Sequence, residues 1–184
     1  MINLRVKMIF KLIARICCFR AAPEDIPYSI PLLLGIAGVN LAMLFFIILL
    51  ATASAPTALW KSLLLMSLIA GFTYAVTAIQ RLPERFVQTL SGLLATKTFI
   101  ITTLALPSVI LSWVLLENPS SLINITGYVI CGLLTLTASL WLFFIYSKIF
   151  QHSLEITISQ SLLVSLLLFG LNLLVFGIVR GMLY

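Results

Sequence analysis

Asp25 is the only aspartate in this 184-residue chain and His152 the only histidine, and those two counts close off most chemistry done inside membranes. Intramembrane proteolysis needs paired aspartates, a zinc-binding HExxH or a serine beside a base. A b-type haem needs two axial histidines and a zinc site needs clustered His and Cys ligands, so neither can be assembled within one chain of this composition. No glycine-rich phosphate loop is present. Lys148, His152 and Glu155 have the spacing of a proton relay, but three polar residues in a loop between apolar segments are more often simply solvated. Cys17 and Cys18 are vicinal and Cys131 lies in an apolar run, which gives reduced, structural thiols and no disulfide framework. The sequence therefore assigns no catalytic residue, metal site or cofactor, and the chain reads as a non-enzyme.

The remaining residues of interest are polar or small side chains set in apolar surroundings. Asn40, Lys97, Gln160 and Asn172 could line a polar path in a small transporter or channel. Gln160 and Asn172 could equally hydrogen-bond between helices, because lipid offers them no other partner. Ser67, Gly71 and Ala75 recur every fourth residue, as do Gly38 and Ala42, a spacing that lets helix backbones approach one another. Packing within the molecule is the expected use of these faces, with an intermolecular contact as the alternative.

These residues need helices that cross a membrane. Of all residues 62% are hydrophobic and 9% charged, and the mean hydropathy is +1.21, outside the range of ordinary soluble domains. No polar stretch is long enough to bury a soluble core. The predicted fold is an all-α, polytopic transmembrane bundle of five spans, about residues 30–53, 59–79, 98–116, 125–147 and 156–179. It forms a membrane domain over residues 23–184, preceded by a separate N-terminal segment, 1–22.

In residues 1–22, Lys7, Lys11 and Arg15 interrupt the apolar residues at every turn, which rules out the unbroken apolar core of a signal peptide. Arg5, Lys7, Lys11, Arg15 and Arg20 set against Leu4, Met8, Leu12, Ile16 and Phe19 predict a basic amphipathic helix in the headgroup region, with anionic lipid as its partner. The segment Ala21–Pro31 carries three prolines beside Glu24 and Asp25, so it forms a turn. Ser29 can then cap the following helix, with Pro31 in its first turn.

The third span is the difficult one. Phe86 to Leu116 is apolar over 31 residues, roughly 46 Å as helix, which overshoots a bilayer. Dividing it gives a tilted or interfacial stretch, Phe86–Thr96, then a span from Thr98 with Lys97 at the boundary. That solution avoids about 2.5 to 3.5 kcal/mol for a charge at the bilayer centre. The alternative is one long tilted helix that carries Lys97 inward. Lys148, His152 and Glu155 are expected in a short loop, and Lys61 is expected to snorkel.

Five spans put the termini on opposite sides. With the N-terminus in the cytoplasm, Arg5, Lys7, Lys11, Arg15, Arg20, Arg81, Arg85 and Lys148 lie inside, against Lys61 and Arg180 outside, an eight-to-two asymmetry that sets N-in, C-out. Tyr28 and Tyr146 then fall at the inner interface, and Trp60, Trp113 and Tyr128 at the outer one. The net charge of +6 is thus topogenic and gives no reason to invoke nucleic acid.

Three local patterns carry a resemblance: P-E-D-I-P-Y-S (Pro23 to Ser29) after the basic start, R-F-V-Q-T-L-S-G-L-L (Arg85 to Leu94), and A-L-P (Ala105 to Pro107). Together they resemble a set of small, poorly characterised bacterial inner-membrane proteins. The five-span, N-in and C-out plan is also distantly similar to the Yip family of membrane-trafficking proteins. The resemblance implies no catalytic residues. It implies organisational work in a bacterial inner membrane, as an accessory or scaffold subunit that binds other membrane proteins. The alternative function is a small transporter or channel with a polar path near Lys97.

Overall fold

The computed structural model describes residues 2–52, 54–115 and 122–181, and among these residues the fold is all-α with no strand. The span ends at Ala53 and Leu116 lie outside the described residues, as do the side chains of Arg5, Lys7, Trp113 and Arg180. The helices are α1 (Ile2–Cys17), α2 (Ile30–Thr52), α3 (Ala55–Ile79), α4 (Phe86–Ile100), α5 (Leu106–Leu115), α6 (Leu122–Leu154) and α7 (Ile158–Gly181). Five stretches are long and apolar enough to cross a bilayer: Ile30–Leu50, Ala55–Ile79, Pro83–Leu111, Ile125–Leu154 and Ile158–Val175. The chain is a multi-pass integral membrane protein.

Local sequence explains where the helices start and stop. After α1 the backbone turns through Phe19 in the left-handed region (φ 59°), and Asp25 then accepts a hydrogen bond from the Ala22 N–H (3.0 Å) across a short 3-10 turn, Pro23–Asp25. The Ser29 hydroxyl accepts from the Leu32 N–H (3.3 Å), so the expected cap of α2 forms with Pro31 behind it. At the head of α7 the Thr157 N–H donates to Gln160 Oε1 (3.1 Å) and the Gln160 N–H to Thr157 Oγ1 (3.4 Å), a reciprocal capping box.

Two boundaries differ from the sequence expectation. There is no break at Lys97: α4 runs past it into a π-helical turn, Ile101–Ala105, and then α5. Pro107 lacks the N–H that would bond residue 103, and its ring crowds that carbonyl, so the helix widens just before the proline. Thr102 and Thr103 add hydroxyl bonds to the Thr98 and Phe99 carbonyls, which loosen the same turn. The fourth span is likewise longer than expected. Lys148 and His152 belong to α6, which stops only at Leu154, before Glu155 in the left-handed region (φ 55°).

α4 is the centre of the bundle, contacting α1, α2, α3 and α6. Every residue from Thr89 to Lys97 is buried. The reason is compositional, since Ser91, Gly92 and Ala95 leave room for neighbours. A Cβ on Gly92 would meet Pro23, Ile26 and Ile149 at 3.5 to 3.7 Å. Leu93 and Leu94 pack with Ile69, Ile145, Ile149, Phe150 and Leu168. Lipid is as apolar as these side chains, so close van der Waals fit holds the core together. The buried hydroxyls of Thr73, Thr77, Thr89 and Thr96 return to carbonyls four residues back, which satisfies them without a partner helix.

Candidate functional site

Arg85, in the turn that leads into α4, gathers one end of the molecule. Its guanidinium pairs with Glu155, lies 3.9 Å from Glu24, and donates to the His152 and Ser153 carbonyls at the end of α6 (both 3.3 Å). A planar, permanently charged group suits the task, because α6 ends in unpaired carbonyls and partial negative charge. Beside it Gln88 donates to the Ile26 carbonyl (3.1 Å). The loop before α2, the head of α4 and the tail of α6 are thereby tied together.

About 18 Å further along the helix lies the buried polar core. Asn40 of α2 is fully buried, and its Nδ2 donates to Thr98 Oγ1 (2.9 Å) and to the Leu94 carbonyl (3.4 Å). Among the described residues its Oδ1 has no partner, and neither do the buried Tyr146 hydroxyl and Ser165 Oγ. Lys97 sits one residue before Thr98 and is 9% exposed; among the described residues no carboxylate or other side chain hydrogen-bonds to its ammonium. The boundary position expected for Lys97 is corrected here. Neighbouring helices enclose it, and that enclosure replaces the lipid whose cost argued for a break. Ser147 and Ser161 complete the polar interior with a hydroxyl bond (3.0 Å) between α6 and α7.

The four residues of the expected polar path do not form one. Asn40 and Lys97 are both buried, and Asn40 bonds Thr98, the residue after Lys97. Gln160 is exposed and consumed by the cap of α7, while Asn172 returns its amide to the Leu168 carbonyl of its own helix (2.8 Å). The relay of Lys148, His152 and Glu155 does not assemble either, because Glu155 faces Arg85 and Lys148 donates to Gln151 Oε1 (3.1 Å). Tyr146 is in the core rather than at an interface, and Lys61 is buried rather than snorkelled.

α1 is helical as expected and is also anchored to the bundle. Ile16 and Cys17 are buried, Lys11, Arg15 and Arg20 are exposed, and the Trp141 indole N–H donates to the Cys17 carbonyl (3.0 Å). Burial and the adjacent Cys18 push the Cys17 thiol up to about 12. The small-residue faces behave differently from the intramolecular expectation. Gly38, Ala42, Ser67, Gly71 and Ala75 are all exposed, and a Cβ on Gly38 or Gly71 would meet nothing within 4 Å. α2 and α3 are in contact, but the residues they bury include Leu44, Ile48, Ala58 and Ile69 and none of these stripes.

Sequence reasoning missed Arg85 as a cap, Tyr146 and Ser165 as interior polar groups, and Trp141 as the anchor of α1. The T-x-x-Q pattern of Thr157 and Gln160 was a readable signal for the cap; the others depend on partners distant in the chain. No family model, curated protein or solved structure matches the chain.

Proposed function

We propose that this protein is a non-enzymatic accessory or scaffold subunit of a membrane protein assembly. The observation that carries the reading is the outward face of α3, where Ser67, Gly71 and Ala75 form a seam that nothing among the described residues covers. Small residues at four-residue spacing allow a second helix to approach closely, and in lipid such contact is a main source of helix association. The proposed setting is a bacterial inner membrane with the N-terminus in the cytoplasm and the C-terminus outside. The eight-to-two distribution of basic residues supports it, with α1 resting against anionic lipid. A Yip-like organisational role is consistent with that plan. The test is mild-detergent purification of the tagged protein at native level, followed by mass spectrometry, for the parent chain and Gly71→Leu. Stable companions lost on substitution support the reading; a parent chain that always purifies alone overturns it.

A second reading, a small transporter, draws on the enclosed Lys97, one residue before the Thr98 that Asn40 bonds. Intramembrane charges commonly mark ion or substrate pathways. Lys97→Met in reconstituted vesicles separates the two, since a pathway residue changes flux and a structural one leaves it unaltered.

A further inference from the structure

A groove of about 640 Å³ opens between α6 and α7, beneath the turn that follows α1. Phe19, Trp141, Phe144 and Leu162 give it apolar walls, and Lys148 and Gln151 stand at one end. Its shape is fixed rather than incidental. The Trp141 indole is held by the Cys17 carbonyl, and the Phe19 ring stacks on it at 6.5 Å between centroids. Phe19 holds that position with left-handed backbone (φ 59°), a conformation that a bulky residue rarely adopts.

Polarity along the groove follows depth. Gln151 lies ten residues beyond Trp141 on α6, about 15 Å nearer the end where Arg85 closes that helix. The ammonium and amide therefore sit towards the polar end, and the aromatic walls sit towards the membrane middle. Lys148 donates one hydrogen bond, to Gln151 Oε1, and among the described residues no carboxylate pairs with it, because Glu155 is held by Arg85. The other ammonium hydrogens and the Gln151 amide N–H groups remain able to donate.

We propose that this groove binds one anionic phospholipid from the leaflet at the α1 end, its phosphate on Lys148 and Gln151 and an acyl chain along Trp141 and Phe144. A zwitterionic headgroup fits less well, since its cation would meet Lys148, and the described lining of the groove holds no carboxylate to answer it. This site is separate from the exposed basic face of α1 and does not depend on the scaffold reading.

Trp141 is a built-in reporter. The experiment uses the full chain with Trp60→Phe and Trp113→Phe, reconstituted in vesicles in which brominated phosphatidylglycerol or brominated phosphatidylcholine is the minor component. Brominated phosphatidylglycerol should quench Trp141 with an apparent affinity about fivefold higher, the preference expected for one interfacial cation. Lys148→Gln should remove the preference, and Lys11→Gln, on the outer face of α1, should leave it. Should Lys148→Gln fail to fold, Gln151→Leu, which removes the other phosphate donor, should reduce the preference. Equal quenching by both lipids in the parent, a preference that survives loss of the groove donors, or one abolished by Lys11→Gln overturns the proposal.

Discussion

Arg85 and Glu155 lie 70 residues apart in the chain, yet the guanidinium of one and the carboxylate of the other meet directly over the last turn of α6. The same guanidinium closes that helix through two backbone carbonyls, so the two residues are not equivalent partners. Glu155 is largely exposed, and a solvent-screened pair contributes little by itself. Arg85→Gln should cost on the order of 1 to 2 kcal/mol and Glu155→Gln less than about 1 kcal/mol. Thermal unfolding in detergent compares the two, and equal losses would show that the ion pair, not the helix cap, is the stabilising element.

Asn40 is tied to α4 by a bond to Thr98 that lipid cannot replace. Measured interhelical hydrogen bonds in membranes average about 0.6 kcal/mol and reach about 1.7. Thr98→Val removes the acceptor while keeping the volume, and should destabilise within that range. A loss several times larger would mean that the Asn40 amide has no other acceptor to turn to, whereas no loss would remove the bond from any account of stability.

Gly92 is the point where Pro23, Ile26 and Ile149 converge on α4. The distances leave ordinary van der Waals room for one methyl group, so Gly92→Ala should fold normally and gain from its better helix propensity, by up to about 1 kcal/mol. Gly92→Leu should not fold, because its branches have nowhere to go. Yield and monodispersity of the two variants in detergent check both statements; a well-folded Leu variant would show that the loop of Pro23 yields readily.

The three cysteines should differ in reactivity. Cys18 is exposed, whereas Cys17 and Cys131 are buried. A maleimide at pH 7.5 should therefore label the native protein once, at Cys18, and all three sites only after denaturation. Because the Cys17 thiol is raised from 9.0 to about 12 in the fold, it stays protonated at a pH where the unfolded chain ionises. Its contribution to stability is complete below pH 9 and falls away between about 9 and 12. Cys17→Ser should flatten that alkaline decline, and an unchanged profile would assign it to other groups.

Apolar periodicity alone located the five crossing stretches, because backbone in lipid must be helical and about 20 apolar residues long. Lys97 was misplaced for an instructive reason. The cost of a charge in lipid is a property of an isolated helix, and α4 is surrounded by protein. His152 and Lys148 were likewise assigned to a loop from polarity, although a helix can carry polar residues past the membrane edge until a left-handed residue such as Glu155 turns it. The outward stripes on α2 and α3 were visible as patterns, but a repeat of small residues does not say which way it faces. The Arg85 contacts and the Trp141 anchor of α1 join residues far apart in the chain, and no local rule pairs them.

The burial of α4 bears on how the chain enters the bilayer. Pro23, Leu94 and Lys97 are all buried, and the stretch containing α4 is the least hydrophobic of the five crossing stretches. A segment that leaves the translocation channel by itself would present an amine and several hydroxyls to fatty chains. Its shelter is divided along the chain, since α2, with Asn40, precedes it and α6 follows it.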